Sequence, residues 1–138
     1  MRFMVIVKAT AESEAETSPA PEEALLAEMA DYHEQLAKAG VLLDASGLKP
    51  SSQGWRMRYA GNQRTIIDGP FSETKELIAG YTLIQVKSRE EAQEWARRFP
   101  NPVGAGKLAE IEVRPLYELE DFAPSESVNR FREMGVGK

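Results

Sequence analysis

Few residues in this chain are equipped for chemistry. Its 138 positions hold one histidine and no cysteine. His33 sits in a run of helical spacing, beside the apolar positions Leu25, Met29, Tyr32 and Leu36. A half-buried imidazole near an acid suits proton transfer around neutral pH, because its free pKa is about 6.5. The acid that stands out is Asp68, which ends the apolar run RTIID and precedes Gly69-Pro70-Phe71. As a pair, His33 would act as general acid and base with Asp68 orienting it. Each also has a plain structural reading. His33 could be a helix histidine with satisfied nitrogens. Asp68 could be a turn residue whose carboxylate binds backbone N–H groups two positions on. Gly69 permits unusual backbone angles, Pro70 fixes the chain exit, and Phe71 is expected as an apolar plug under the turn.

Other candidates are weaker. Lys75, in the run SETKE, could hold an anionic substrate group, or belong to a solvated charged face. Arg64 could join Arg56 and Arg58 in an anion-binding patch, or form an exposed basic face of a β-ribbon. Trp55 and Tyr81 are expected to line a pocket or an interface. Gly104-Ala105-Gly106-Lys107 is only superficially a phosphate loop, since it does not open a helix after a strand.

Composition removes further options. Without cysteine there is no disulfide, Fe–S cluster, thiolate zinc site or cysteine nucleophile. One histidine excludes a His-rich metal site, so no metal and no organic cofactor is expected. The net charge of −5 repels phosphate backbones and argues against direct nucleic-acid binding. The N-terminal apolar run is too short for a signal peptide or membrane span, so the expected location is cytoplasmic with no membrane contact.

The elements that must position these residues follow from periodicity. Arg2 to Ala9 reads as a central strand, because consecutive Val5, Ile6 and Val7 need cover on both faces. Thr10 to Ala20 reads as a solvated loop. A helix is expected from about Pro19–Pro21, capped by Ser18, to the stop at Gly40. Leu25, Met29, Tyr32 and Leu36 form its buried stripe, flanked by Leu26, Ala30, His33 and Ala37. Val41 to Leu48 is a strand. Trp55, Met57 and Tyr59 alternate with Arg56 and Arg58 in a half-buried strand, which turns at Gly61-Asn62 into Arg64–Asp68. Gly80 to Lys87 is a strand and Ser88 opens a helix with a capping box to Glu91. Pro100 and Pro102 end it. Glu110 to Leu116 is an edge strand ending at Pro115. The tail, residues 118–138, is expected to be an extension carrying a short amphipathic helix through Val128, Phe131 and Met134.

The resulting order predicts an α+β, ferredoxin-like antiparallel sheet with helices on one face and an inserted β-hairpin. The other sheet face, with Trp55, Met57 and Tyr59 contributing to it, would be bare and apolar. Such a face predicts a sheet-to-sheet homodimer.

The motif Asp68-Gly69-Pro70-Phe71 with its continuation SETKE resembles the YCII-related proteins of the DGPF type. The flanking blocks agree: RFMVIVK, the helix–strand block ending VLLDASGL, IAGYTLIQVKSREEAQEWARRFP, and EIEVRPL. The resemblance covers residues 1–117. It implies a dimeric α+β barrel and a pocket near the dimer interface, where a histidine and an aspartate are the proposed pair in YCII-type proteins. The expectation is a binder of an unknown small molecule, acting as a cofactor-independent enzyme through His33 and Asp68. The alternative is a noncatalytic dimeric binding or regulatory module, a reading that draws on the association of some family members with transcription initiation.

Overall fold

The computed structural model describes residues 1–15 and 22–137. Alternating burial in the first apolar run makes β1 (Arg2–Lys8) the centre of the sheet, with Phe3 and Val5 buried. The other sheet strands are β2 (Leu42–Gly47), β5 (Ile78–Gln85) and β6 (Ile111–Pro115). Their spatial order is β2-β5-β1-β6, with every neighbouring pair antiparallel. This is the ferredoxin-like order expected from the sequence. Pro115 closes β6 at the sheet edge, where its missing N–H is tolerated.

Two helices cover one face. The longer, α2 (Glu23–Lys38), buries Tyr32 and Leu36; α3 (Arg89–Arg97) buries Ala92 and Trp95. With Phe3, Val41, Ile84 and Val86 these side chains form one apolar cluster between helices and sheet. Burial of each of Phe3, Leu36, Val41, Ile84 and Val86 contributes roughly 1.5–3 kcal/mol. Ser88 caps α3 by accepting from the Glu91 N–H, and the Glu91 carboxylate accepts from the Lys87 N–H, one residue earlier than a standard capping box.

Several expectations change. The segment read as a loop after β1 contains a short helix, α1 (Ala11–Glu14), because Thr10 and Ser13 cap its start reciprocally. The expected start of α2 at Pro19–Pro21 and its cap Ser18 lie outside the described residues; from Glu22 onward no side chain caps it. The hairpin strands β3 (Trp55–Ala60) and β4 (Gln63–Asp68) form their own two-stranded ribbon. Trp55, Met57 and Tyr59 therefore add nothing to the open face of the main sheet. The pairing is local: β3 and β4 pair with each other through the Gly61 turn (φ +59°), and neither has a ladder with the larger sheet.

The tail carries α4 (Glu126–Met134), capped by Ser125 and stopped by Gly135 in the left-handed conformation. Buried Leu119 and the Arg2–Glu118 ion pair at 3.0 Å hold the start of the tail to the sheet.

Candidate functional site

His33 is set by helix and sheet together. The α2 backbone presents the Met29 carbonyl one turn back, and His33 Nδ1 lies 2.7 Å from it. A carbonyl oxygen only accepts, so Nδ1 carries the hydrogen, an assignment that rests on the partner's chemistry. Nε2 lies 2.8 Å from Thr82 Oγ1 on β5. In the neutral ring Nε2 is then an acceptor, and the Thr82 hydroxyl donates to it. Thr82 pairs with Val5 and Ala45 across the sheet, which puts its side chain on the helix-covered face. It is only 3% exposed, and it is the polar side chain buried within the described core. Aromatic edges brace the imidazole: Tyr32 at 5.5 Å and Phe99 at 6.1 Å between ring centroids. Tyr32 in turn donates to the Trp95 carbonyl at 2.6 Å. Burial pushes its phenol up to about 12, against the opposing pull of the nearby Arg98 charge.

Beside this pair lies an open cavity of about 520 Å³, within the usual range for a small-ligand site. Leu26, Met29, Ala30 and His33 of α2 form one wall. The sheet forms the floor with Val7, Ala45, Gly47, Gly80 and Thr82, and Phe99 and Pro102 close one end. Three of the four residues expected to flank the buried stripe of α2, Leu26, Ala30 and His33, are in this wall; Ala37 is not, and Met29 of the stripe is. Gly80 is required here: a Cβ would stand 2.9 Å from the Ser46 carbonyl oxygen. Ser46 and Tyr81 also border the cavity. They are cross-strand partners one residue out of phase with Thr82, so their side chains lie on the opposite face. There Tyr81 donates to Asp44 at 3.1 Å. Among the described residues no charged side chain lines this cavity.

The other expected site residues lie elsewhere. Both ring nitrogens of His33 are taken by Met29 and Thr82, so within the chain neither goes to Asp68. Asp68 is exposed at the end of β4. It pairs across the ribbon with Trp55, while Arg64 pairs with Tyr59 and stacks on its ring at 4.9 Å. The ribbon's pairing puts Arg56 and Arg58 on the face opposite Arg64, so the three arginines do not form one patch. Lys75 is exposed in the helical turn Thr74–Glu76.

Phe71 is half-buried outside the main core and is covered by the Arg56 guanidinium at 3.8 Å. It borders a second hollow of about 500 Å³ with Glu14, Ser51 and Leu77. A hydrogen-bond chain ties this region down. Ser51 donates through its hydroxyl and its N–H to the Glu14 carboxylate, and its Oγ accepts from the Phe71 N–H at 3.1 Å. Gly69 is demanded by this clip, because a Cβ there would collide with the Ser51 carbonyl. The structural part of the Asp68-Gly69-Pro70-Phe71 motif is therefore to fasten the ribbon to the Ser51–Gln53 turn.

Thr82 escaped notice in the sequence, although a signal was present. In GYTLIQVK the positions Gly80, Thr82, Ile84 and Val86 share one phase, and a hydroxyl in a buried phase needs a partner. The Glu14–Ser51 clip had no such signal, since its members are 37 positions apart.

Residues 1–117 match the family model of the YCII-related domain. A protein of Rhizobium meliloti (strain 1021), itself uncharacterised, is 30% identical over 95 residues, covering 69% of this chain and 75% of the relative.

Proposed function

The chain belongs to the YCII-related family, and on that premise we propose that it binds a small molecule in the cavity between α2 and the sheet, with His33 as the proton acceptor of the site. The observation that carries this reading is the fixed imidazole at the cavity wall. Its Nδ1 hydrogen goes to the Met29 carbonyl, which leaves Nε2 to accept from the Thr82 hydroxyl, so a proton taken from a ligand passes to Thr82 Oγ1 as the Thr82 proton moves to Nε2. That is the arrangement of a base held by an orienting group. Proton transfer of this kind needs no cofactor, as in an isomerisation or an elimination. The Asp68-Gly69-Pro70-Phe71 motif supports placing the protein in the DGPF type. Asp68 enters the chemistry only if a second copy, or a movement of the ribbon, brings it to the cavity. A cytoplasmic location fits a chain in which, among the described residues, no helix is long and apolar enough to cross a membrane.

The open face of the sheet supports a homodimer. Met4 pairs with Leu83 and Ile6 with Tyr81, which gives an apolar centre, and Arg114 and Glu112 follow on the next strand. Two such faces would cover each other with charges at the rim. Light scattering at micromolar concentration should return about twice the 15.4 kDa chain mass.

The binding reading is tested by ligand-observed NMR with a panel of small aromatic and aliphatic compounds. Ala30→Trp fills the cavity from α2. Ligands lost in Ala30→Trp and kept in Asp68→Asn support the reading; ligands that bind Ala30→Trp as well as wild type overturn it. A noncatalytic binding module is the second reading, favoured by the fact that both ring nitrogens already have partners. It predicts a stable protein partner whose capture is unaffected by His33→Ala.

A further inference from the structure

The polar equipment of the cavity is unusually one-sided, and this limits what can bind. His33 and Thr82 hold two polar hydrogens between them, one on Nδ1 and one on Oγ1. The first goes to the Met29 carbonyl at 2.7 Å. The second goes to Nε2, whose lone pair lies 2.8 Å away. What remains is lone pairs on Thr82 Oγ1. A neutral His33–Thr82 pair therefore offers acceptors and no donor. No charged side chain among the described residues lines the cavity, and the candidate anion holders Lys75 and Arg64 are not part of it. The rest of the lining is mostly apolar: Leu26 and Met29 above, Val7, Ala45, Gly47 and Gly80 on the sheet, and Phe99 at the end, while Ser46 and Tyr81 border it with side chains turned to the other face of the sheet. Gly47 and Gly80 bring no side chains to this part of the sheet, which leaves room for a ring beside Val7 and Ala45.

We infer that the His33–Thr82 pair is a hydrogen-bond acceptor unit that selects a neutral, ring-bearing ligand with a free hydroxyl, of the phenol class, and discriminates against anions and against ethers. This rests on the small-molecule reading above and specifies the substrate class of that site. A ligand hydroxyl donates to Thr82 Oγ1, whose own hydrogen stays directed at Nε2. A carboxylate or phosphate in the same place would set lone pairs against lone pairs in an apolar slot, which is costly.

Three probes of nearly the same shape test this: 4-ethylphenol, 4-ethylanisole and 4-ethylbenzoate, titrated by NMR against the full-length protein. The expected result is that the phenol binds about tenfold more tightly than its methyl ether, the worth of one buried hydrogen bond, and that the benzoate is weaker than the phenol. Thr82→Val should close the gap between phenol and ether, and Thr82→Ser should restore it. Equal binding of phenol and ether to the wild type, or tightest binding of the benzoate, overturns the inference and leaves the pocket standing. Binding of none of the three removes the pocket reading and the inference with it. The wild-type comparison decides the matter even if Thr82→Val does not fold.

Discussion

The cavity under α2 and the β3–β4 ribbon hold most of the residues that looked chemical in the sequence, with Lys75 outside both in the Thr74–Glu76 turn. They are built in opposite ways. The cavity draws on β1, β2, α2, β5 and the segment after α3, and its key pair joins positions 33 and 82. At its inner end Thr82 is buried, Phe99 packs against the apolar core and His33 against core Tyr32, while Leu26 at the rim is 48% exposed. The ribbon is local. Trp55, Tyr59 and Ile66 on one of its faces are 65%, 66% and 61% exposed. It is fastened at its base through Gly69 and Ser51. The lesson is that residue type marks candidates evenly, whereas precise placement needs surrounding packing. The cavity has that packing and the ribbon face does not.

The contrast is broken most forcefully in the core. Leu36→Ala, at a site with no exposure, should cost about 3–4 kcal/mol in denaturant unfolding. Ile66→Ala on the ribbon should change stability by about 0.5 kcal/mol or less. Equal losses would show that the ribbon is buried in the molecule as it exists in solution, as an interface would require.

Next comes Gly69→Ala, which drives a methyl group into the Ser51 carbonyl. We expect a loss of about 2–3 kcal/mol, with amide shifts confined to the ribbon, Ser51 and Phe71. The His33 and Thr82 resonances should stay in place. Their displacement would mean that the two regions are mechanically joined.

The smallest effect is a pH dependence confined to the cavity's support. Tyr32 is buried, and its phenol is raised from 10.0 to about 12. Below pH 10 folded and unfolded chains both keep this proton. Above it the unfolded chain releases it first, so stability falls as pH rises toward 12. The contribution lost is on the order of 2 kcal/mol. Tyr32→Phe should lose about 1 kcal/mol at neutral pH, where the hydrogen bond to Trp95 is absent. It should also show a flatter decline between pH 10 and 12. An unchanged slope would place the tyrosine hydroxyl in solvent.

Much of the architecture was legible because it is written in short-range periodicity. The alternation of β1, the stripe Leu25, Met29, Tyr32 and Leu36, the Ser88 cap and the Gly61 turn each depend on residues within a few positions of one another. Of the flank Leu26, Ala30, His33 and Ala37, the first three line the cavity, Ala37 does not, and the stripe residue Met29 does. What misled was assigning Trp55, Met57 and Tyr59 to the large sheet. Their alternation shows a two-sided strand but carries nothing about which strand will pair with it.

The sequence by itself determined the main-sheet strands, the two covering helices, the ferredoxin-like class and the narrow choice of chemical groups: one imidazole, no thiol, an acidic balance. Only the tertiary structure decided that the imidazole meets Thr82, that its Nδ1 hydrogen is directed to the Met29 carbonyl, and that Asp68 stands apart on the ribbon. The physical reason is that a hydrogen bond acts over about 3 Å. Whether two side chains 49 positions apart come that close is set by strand order, register and helix packing together, and none of these is a property of the residues taken one at a time.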